Sequence, residues 1–358
     1  NIVATQWLDR NTLRPVFCTD DAEFGTSPQN MSTSTVADEL KISTKGAAIV
    51  YSVAPVKDAA VLSAGHAADG AFWVNDVTGQ WTTSEYYSKG AQSLVRTFNN
   101  ATSKRVTGDN DAVADLSVTC VNKMGMGRDH ITDMLSVTLS AKGTEPTMWQ
   151  SEMEVIYVKL DQTIASLIKR IEDKVGSDKV MFVLTSTGYV DEQPVDYQRF
   201  RIPSGTFYIN RTANLLNMYL GAIYGQAKYV ETCFHNQIYL DRKLIEQRHI
   251  SFTDVITRSK ELLVQTAGVR NVATSPYNPS VSGDLVIETA PGWRILNEDN
   301  HENYFSRAAF IPFPIIMYGA GVKPGRVTTR ATVDRIAPTV AKAIRIRAPN
   351  ACSSEPLQ

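Results

Sequence analysis

Histidine is scarce in this chain: five in 358 residues, His66, His130, His235, His249 and His301, with no two within a helical turn of each other. A catalytic zinc centre needs several imidazole or carboxylate ligands closing on one ion, and no local His pair is present to begin one. The four cysteines, Cys18, Cys120, Cys233 and Cys352, are widely spaced and form no Cys-x-x-Cys pair, so zinc-ribbon and thioredoxin-type motifs are excluded. They fit two disulfides in any of three connectivities, or four separate buried thiols. No run approaches the roughly 20 apolar residues of a spanning helix. The net charge of −1 gives no reason to expect nucleic acid or an anionic membrane as partner. Internal repeats, low-complexity tracts and linkers are missing too.

Several short strings fall short of the motifs they approach. DNDAVAD (109–115) lacks the central Gly and closing Glu of a calcium loop and reads as a solvated acidic turn. GMGRDH (125–130) has no third glycine for a dinucleotide fingerprint and reads as a turn before a strand. CTDDAEF (18–24) gathers three carboxylates with no His nearby and reads as a surface loop. YGAGVKPGR (318–326) reads as a connection.

What is present is the pattern of an α/β protein. With 43% hydrophobic and 20% charged residues, the length allows one large or two ordinary domains with a sizeable core. Short apolar runs at 47–53, 133–140 and 179–186 suit buried strands. Between the last two, Val155, Val158, Ile164, Leu167, Ile168, Ile171 and Val175 recur at helical spacing and Gly176 follows as a stop, predicting a strand-helix-strand crossover. Further helices are predicted over 213–225, from the cap Ser251 to before Gly268, and around 338–346 with Pro338 in its first turn. Strands are predicted at 284–289 and 313–318, while 237–250 alternates poorly.

The blocks QWLDR (6–10), SPQNMSTSTVADEL (27–40), SAGHAADGAFWVNDVTGQWTTSEYY (63–87), SGDLVIETAPGW (282–293) and KPGRVTTRATVDRIAPTVAKAIRI (323–346) stand in an ordered series. Together they resemble the alkaline phosphatase superfamily, specifically the phosphate-irrepressible alkaline phosphatases of Bacteroidetes and their phosphodiesterase relatives. The resemblance covers nearly the whole chain. It implies an α/β fold with a central, mostly parallel sheet flanked by helices on both faces. It also implies a single domain over 1–358 lacking its N-terminal segment, with an inserted subregion at about 189–250.

Active members of the superfamily use two zinc ions about 4 Å apart and a Thr or Ser nucleophile for in-line phosphoryl transfer. Carried over residue by residue, the resemblance puts the first Asp and His ligands at Gly143 and Thr147, the Asp-His pair at Thr187 and Gly188, and the last His at Asn278. Its phosphate-binding Asn falls on Thr5, and its Lys and Arg fall on Val56 and Asp58. The nucleophile and the first metal Asp would precede Asn1. A carboxylate where a cation should meet phosphate is repulsive. His66, in a block where the family also carries it, is expected as a structural histidine beside Asp69 and Trp73.

The resemblance therefore implies a catalytically degenerate member with no zinc, serving as a structural or interaction subunit of an extracytoplasmic complex, periplasmic, at the cell surface or outer-membrane-associated. The alternatives are a glycan or small-ligand module using the vacated cleft and, less favoured, an active phosphoesterase with a rebuilt metal site. Because in the family the residues before the W-x-D string supply a central strand and the nucleophile turn, a protein partner or the chain's own missing N-terminal segment is expected to cover the gap. Neither nucleic acid nor a transmembrane segment is expected. Export would let Cys18, Cys120, Cys233 and Cys352 pair in an oxidising compartment.

Overall fold

A computed structural model describes residues 5–102, 109–141, 149–187, 197, 199–274, 280–305 and 312–357. Four short strands come first, β1 (Gln6–Leu8), β2 (Pro15–Phe17), β3 (Asp20–Asp21) and β4 (Gly25–Thr26). Next are α1 (Val36–Ser43), β5 (Val50–Val53), α2 (Lys57–Ala64), β6 (Gly70–Val74) and β7 (Trp81–Thr82). Helices α3 (Lys89–Thr102) and α4 (Asn110–Met124) lead to β8 (Met134–Val137), the long α5 (Trp149–Val175) and β9 (Met181–Leu184). Then follow β10 (Gly205–Tyr208), α6 (Ile209–Tyr224), β11 (Val230–Phe234), β12 (Gln237–Leu240), α7 (Arg242–Gln247) and α8 (Phe252–Leu263). The last elements are β13 (Val269–Thr274), β14 (Leu285–Thr289), β15 (Trp293–Asn297), β16 (Glu302–Phe305), β17 (Ile316–Gly319) and α9 (Ile336–Ala343).

The chain divides into two compact units, one spanning 1–5, 17–186 and 313–358 and the other 6–16 and 187–312. In the first, a four-stranded sheet has the order β7-β6-β5-β8, with β5 parallel to both β6 and β8 and β7 antiparallel at the edge. Every residue of β5 is buried, as a continuous apolar run covered on both faces requires. Phe72 of β6 stacks on Tyr51 of β5 at 5.7 Å between centroids. Gly70 lies beside the same Tyr51 ring, where an added Cβ would come within 2.6 Å of Cε1. α2, α3 and α4 supply Val61, Leu94 and Leu116 to this core.

Two expectations change here. β8 and β9 do not pair: β9 joins β17 antiparallel, so the predicted crossover ends in a separate two-stranded sheet, although α5 does contribute Leu167 and Ile171 to the core. Val155 and Val158, assigned to the apolar stripe of that helix, are 69% and 53% exposed. The acidic string 109–115 is not a solvated turn. Asp109 caps α4 by accepting from the Asp111 amide, Asp111 accepts from the Thr163 hydroxyl at 2.6 Å, and Asp115 pairs with Arg170 at 2.7 Å, so these acids tie α4 to α5. Its sequence carries no sign of this because the partners lie about fifty positions away.

At the start of α1, Thr35 and Asp38 form a capping box. Asp38 also accepts from the Ala67 amide at 2.8 Å and meets His66 Nδ1 at 3.1 Å, while His66 Nε2 faces the Met31 carbonyl at 2.9 Å. His66 is thus a hydrogen-bonded histidine held by Asp38 and not by Asp69, whose carboxylate pairs with Lys41 at 2.7 Å and accepts from the Val50 amide. Burial works to raise the Asp38 pKa, but the bonds from Thr35, His66 and Ala67 outweigh it and hold the carboxyl below its ordinary 3.8. A depressed carboxyl adds stability that is complete above its unfolded pKa and is lost as pH falls through the folded value. The thermal midpoint of Asp38→Asn should therefore decline less steeply than that of the wild type below pH 3.8. Identical acid slopes for the two proteins would rule this out.

The second unit holds an antiparallel sheet of order β11-β12-β14-β13 and a three-stranded sheet of order β10-β15-β16, in which β10 and β15 are parallel. The poorly alternating stretch 237–250 resolves into β12 and α7, the latter capped by Asp241 accepting from the Leu244 amide at 2.9 Å. Ser251 caps α8 as its sequence predicts. Phe207, Leu216 and Leu240 share one core with Val255, Leu285 and Ile295, so 199–250 is packed as one body with the strands that follow. Parallel pairing among the described residues is confined to β5 with its two neighbours and to β10 with β15, and the protein is a mixed α/β fold of several small sheets.

Candidate functional site

Three of the positions singled out in the sequence, Thr5, Val56 and Asp58, lie in the first unit. The Thr5 carbonyl accepts from the Cys18 amide at 2.8 Å, and the next residue, Thr19, donates its hydroxyl to Asp58 Oδ1 at 3.0 Å. Val56 is the N-cap of α2, extended, with no side-chain cap bond and 55% exposed. Asp58 sits in the first turn of that helix, where the partial positive charge of the unpaired amides favours an acid. Burial pushes the Cys18 thiol up to about 11, and the Asp58 charge adds to the rise while Lys57 opposes it. Lys57 Nζ lies over the Phe17 ring at 5.6 Å.

This arrangement gives a half-buried carboxylate satisfied by a hydroxyl at a helix N-terminus. At about 4 Å and the dielectric of a protein surface, an opposite charge would attract a phosphate oxygen by about 4 kcal/mol and a like charge repels it by as much. Asp58 therefore opposes an anion at this corner, while Lys57 and the helix N-terminus favour one. Sequence reasoning missed Thr19, whose role depends on a partner 39 positions away.

Of the positions that the resemblance assigns to metal ligands, Thr187 is exposed, beyond the end of β9, and Gly143, Thr147, Gly188 and Asn278 lie outside the described residues. A glycine, two threonine hydroxyls, a second glycine and an amide do not fit zinc, which takes imidazole, thiolate or carboxylate. Among the described residues no group of three or more His, Cys, Asp and Glu side chains converges on a point. No described helix is long and apolar enough to cross a membrane.

The expected disulfides do not form. Cys18, Cys120, Cys233 and Cys352 are all free, with Cys18 and Cys120 buried. Cys120 is closed into the apolar core on α4, and burial lifts its thiol and that of Cys233 to about 12, which disfavours the thiolate needed for exchange.

The fold is that of a known class. The chain matches the crystal structure of wild-type alkaline phosphatase PafA with a TM-score of 0.81 over 99% of this chain and 85% of that one, at 22% identity. This places it in the alkaline phosphatase fold, with α/β sheets flanked by helices.

A model of the type I phosphodiesterase / nucleotide pyrophosphatase family matches residues 1–309, and the chain belongs to that family, within the alkaline phosphatase superfamily. Similar curated proteins include a calcium-transporting ATPase of Myroides odoratus, 24% identical over 93% of this chain and 75% of its own length. Alkaline phosphatase PafA of Elizabethkingia meningoseptica is 24% identical over 99% and 81%, and alkaline phosphatase PhoV of Synechococcus elongatus is 22% identical over 98% and 78%.

Proposed function

We propose that this chain is a non-catalytic member of its superfamily, acting outside the cytoplasm as a structural or interaction subunit of a protein complex. The observation that carries the reading is Asp58, a carboxylate engaged by Thr19 where the superfamily resemblance puts a phosphate-binding cation. It is supported by the neutral or side-chain-free residues at Gly143, Thr147, Thr187, Gly188 and Asn278, and by Thr5 and Val56 at the other phosphate positions. An extracytoplasmic location fits the phosphatases it resembles.

Phosphate-ester chemistry without a metal pair loses its charge neutralisation and its activated nucleophile together. Elemental analysis should therefore find far less than the roughly two zinc ions per chain of a two-metal enzyme. Aryl-phosphate turnover should stay at the level of buffer plus an inert protein, with and without added zinc. Zinc at about two per chain, or zinc-dependent hydrolysis of the ester, would sink the reading. Native purification followed by mass spectrometry should identify a stoichiometric protein partner.

A further inference from the structure

The second unit contains a cavity of about 310 Å³ between α6, β11 and the turn after β15. Five of its lining residues are asparagine: Asn210, Asn214, Asn217, Asn297 and Asn300. Three come from one face of α6, at spacings of four and three, a periodic amide stripe legible in the string INRTANLLN (209–217). Lys228, Glu231 and Asp299 are the charged members of the lining.

The Asn210 amide nitrogen donates to Asp299 Oδ1 at 3.1 Å and reaches Glu298 Oε2 at 3.4 Å. Its orientation is fixed, because turning the amide over would set its oxygen against two carboxylates. The Asn210 Oδ1 that results is buried and has no hydrogen-bond partner among the described residues. Asn217 Oδ1 accepts from the Val230 amide at 2.8 Å and Asn297 Oδ1 from the Asp299 amide at 3.2 Å, so the wall is anchored to the backbone.

We infer that this cavity, within the second unit, binds a neutral polyhydroxylated ligand, a carbohydrate. Each asparagine offers both an acceptor and two donors, and a sugar hydroxyl both donates and accepts. Two carboxylates against one lysine disfavour a phosphate, and an apolar ligand would leave the amides unpaired. The volume lies at the lower end of the range of about 300–1,000 Å³ for small-ligand sites, which suits one or two sugar rings.

The test is saturation-transfer NMR of the full chain with glucose, galactose, N-acetylglucosamine and maltose, with inorganic phosphate as competitor. At least one neutral sugar should bind, phosphate should not displace it, and Asn214→Ala with Asp299→Ala should weaken binding by at least about tenfold. Both substituted side chains are exposed, so thermal midpoints should match the wild type. If the double variant does shift its midpoint, Asn214→Ala alone carries the comparison. Silence from all four sugars, displacement by phosphate, or unchanged binding in the variants would overturn the proposal.

Discussion

Replacing Asp284 by alanine should destabilise the second unit by about 3–5 kcal/mol, the cost of stripping one partner from a buried ion pair. The Asp284 side chain is 1% exposed and is bonded on every side. Arg10 Nη2 reaches Oδ2 at 3.0 Å, Arg242 Nε and Nη2 reach Oδ1 at 2.9 and 2.6 Å, and the Leu240 amide donates to Oδ2 at 2.8 Å. Arg10, only 13% exposed along its side chain, would still donate to the Ser282 carbonyl and lie over the Tyr239 ring. Asp284→Asn retains the shape and should cost less, about 1–3 kcal/mol. Arg242→Ala should cost least of the three, since that side chain is 41% exposed and water screens it. Urea titration of the three variants gives the order, and an Asp284→Ala midpoint equal to that of the wild type would show that the network holds nothing.

An effect of similar size is expected in the first unit from Phe72→Ala, about 3–5 kcal/mol for emptying a fully buried aromatic site. Phe72 is 0% exposed and packs in the core against the Tyr51 ring at an interplanar angle of 10°. The strand on which it sits is pinned by parallel bonding to β5, so the backbone cannot easily move in to fill the void. Val327→Ala, at a site 69% exposed, is the matching control and should fall within about 0.5 kcal/mol of the wild type. A cost for Phe72→Ala near that of the control would show that the site collapses without penalty.

The sequence blocks that carry the family resemblance serve fold contacts. Arg10 of the first block meets Asp284 of the fourth, Asp38 of the second meets His66 of the third, and Lys41, one residue past the second, meets Asp69 of the third. Gly283 is needed because a Cβ there would come within 2.7 Å of Gln237 Cβ and 3.1 Å of the Ile238 carbonyl. Packing and pairing are thus reason enough for these residues, independent of any phosphate chemistry at Thr5, Val56 and Asp58.

By itself, the sequence determined the α/β class and the helices ending at Val175 and capped at Ser251, because periodicity and capping are local properties. The tertiary structure decided what each of those elements pairs with. It sent β9 to β17, turned an acidic string into ties between α4 and α5, kept four thiols apart, and set Thr19 on Asp58. These outcomes depend on residues that meet only after the chain has closed, and no local pattern encodes the meeting.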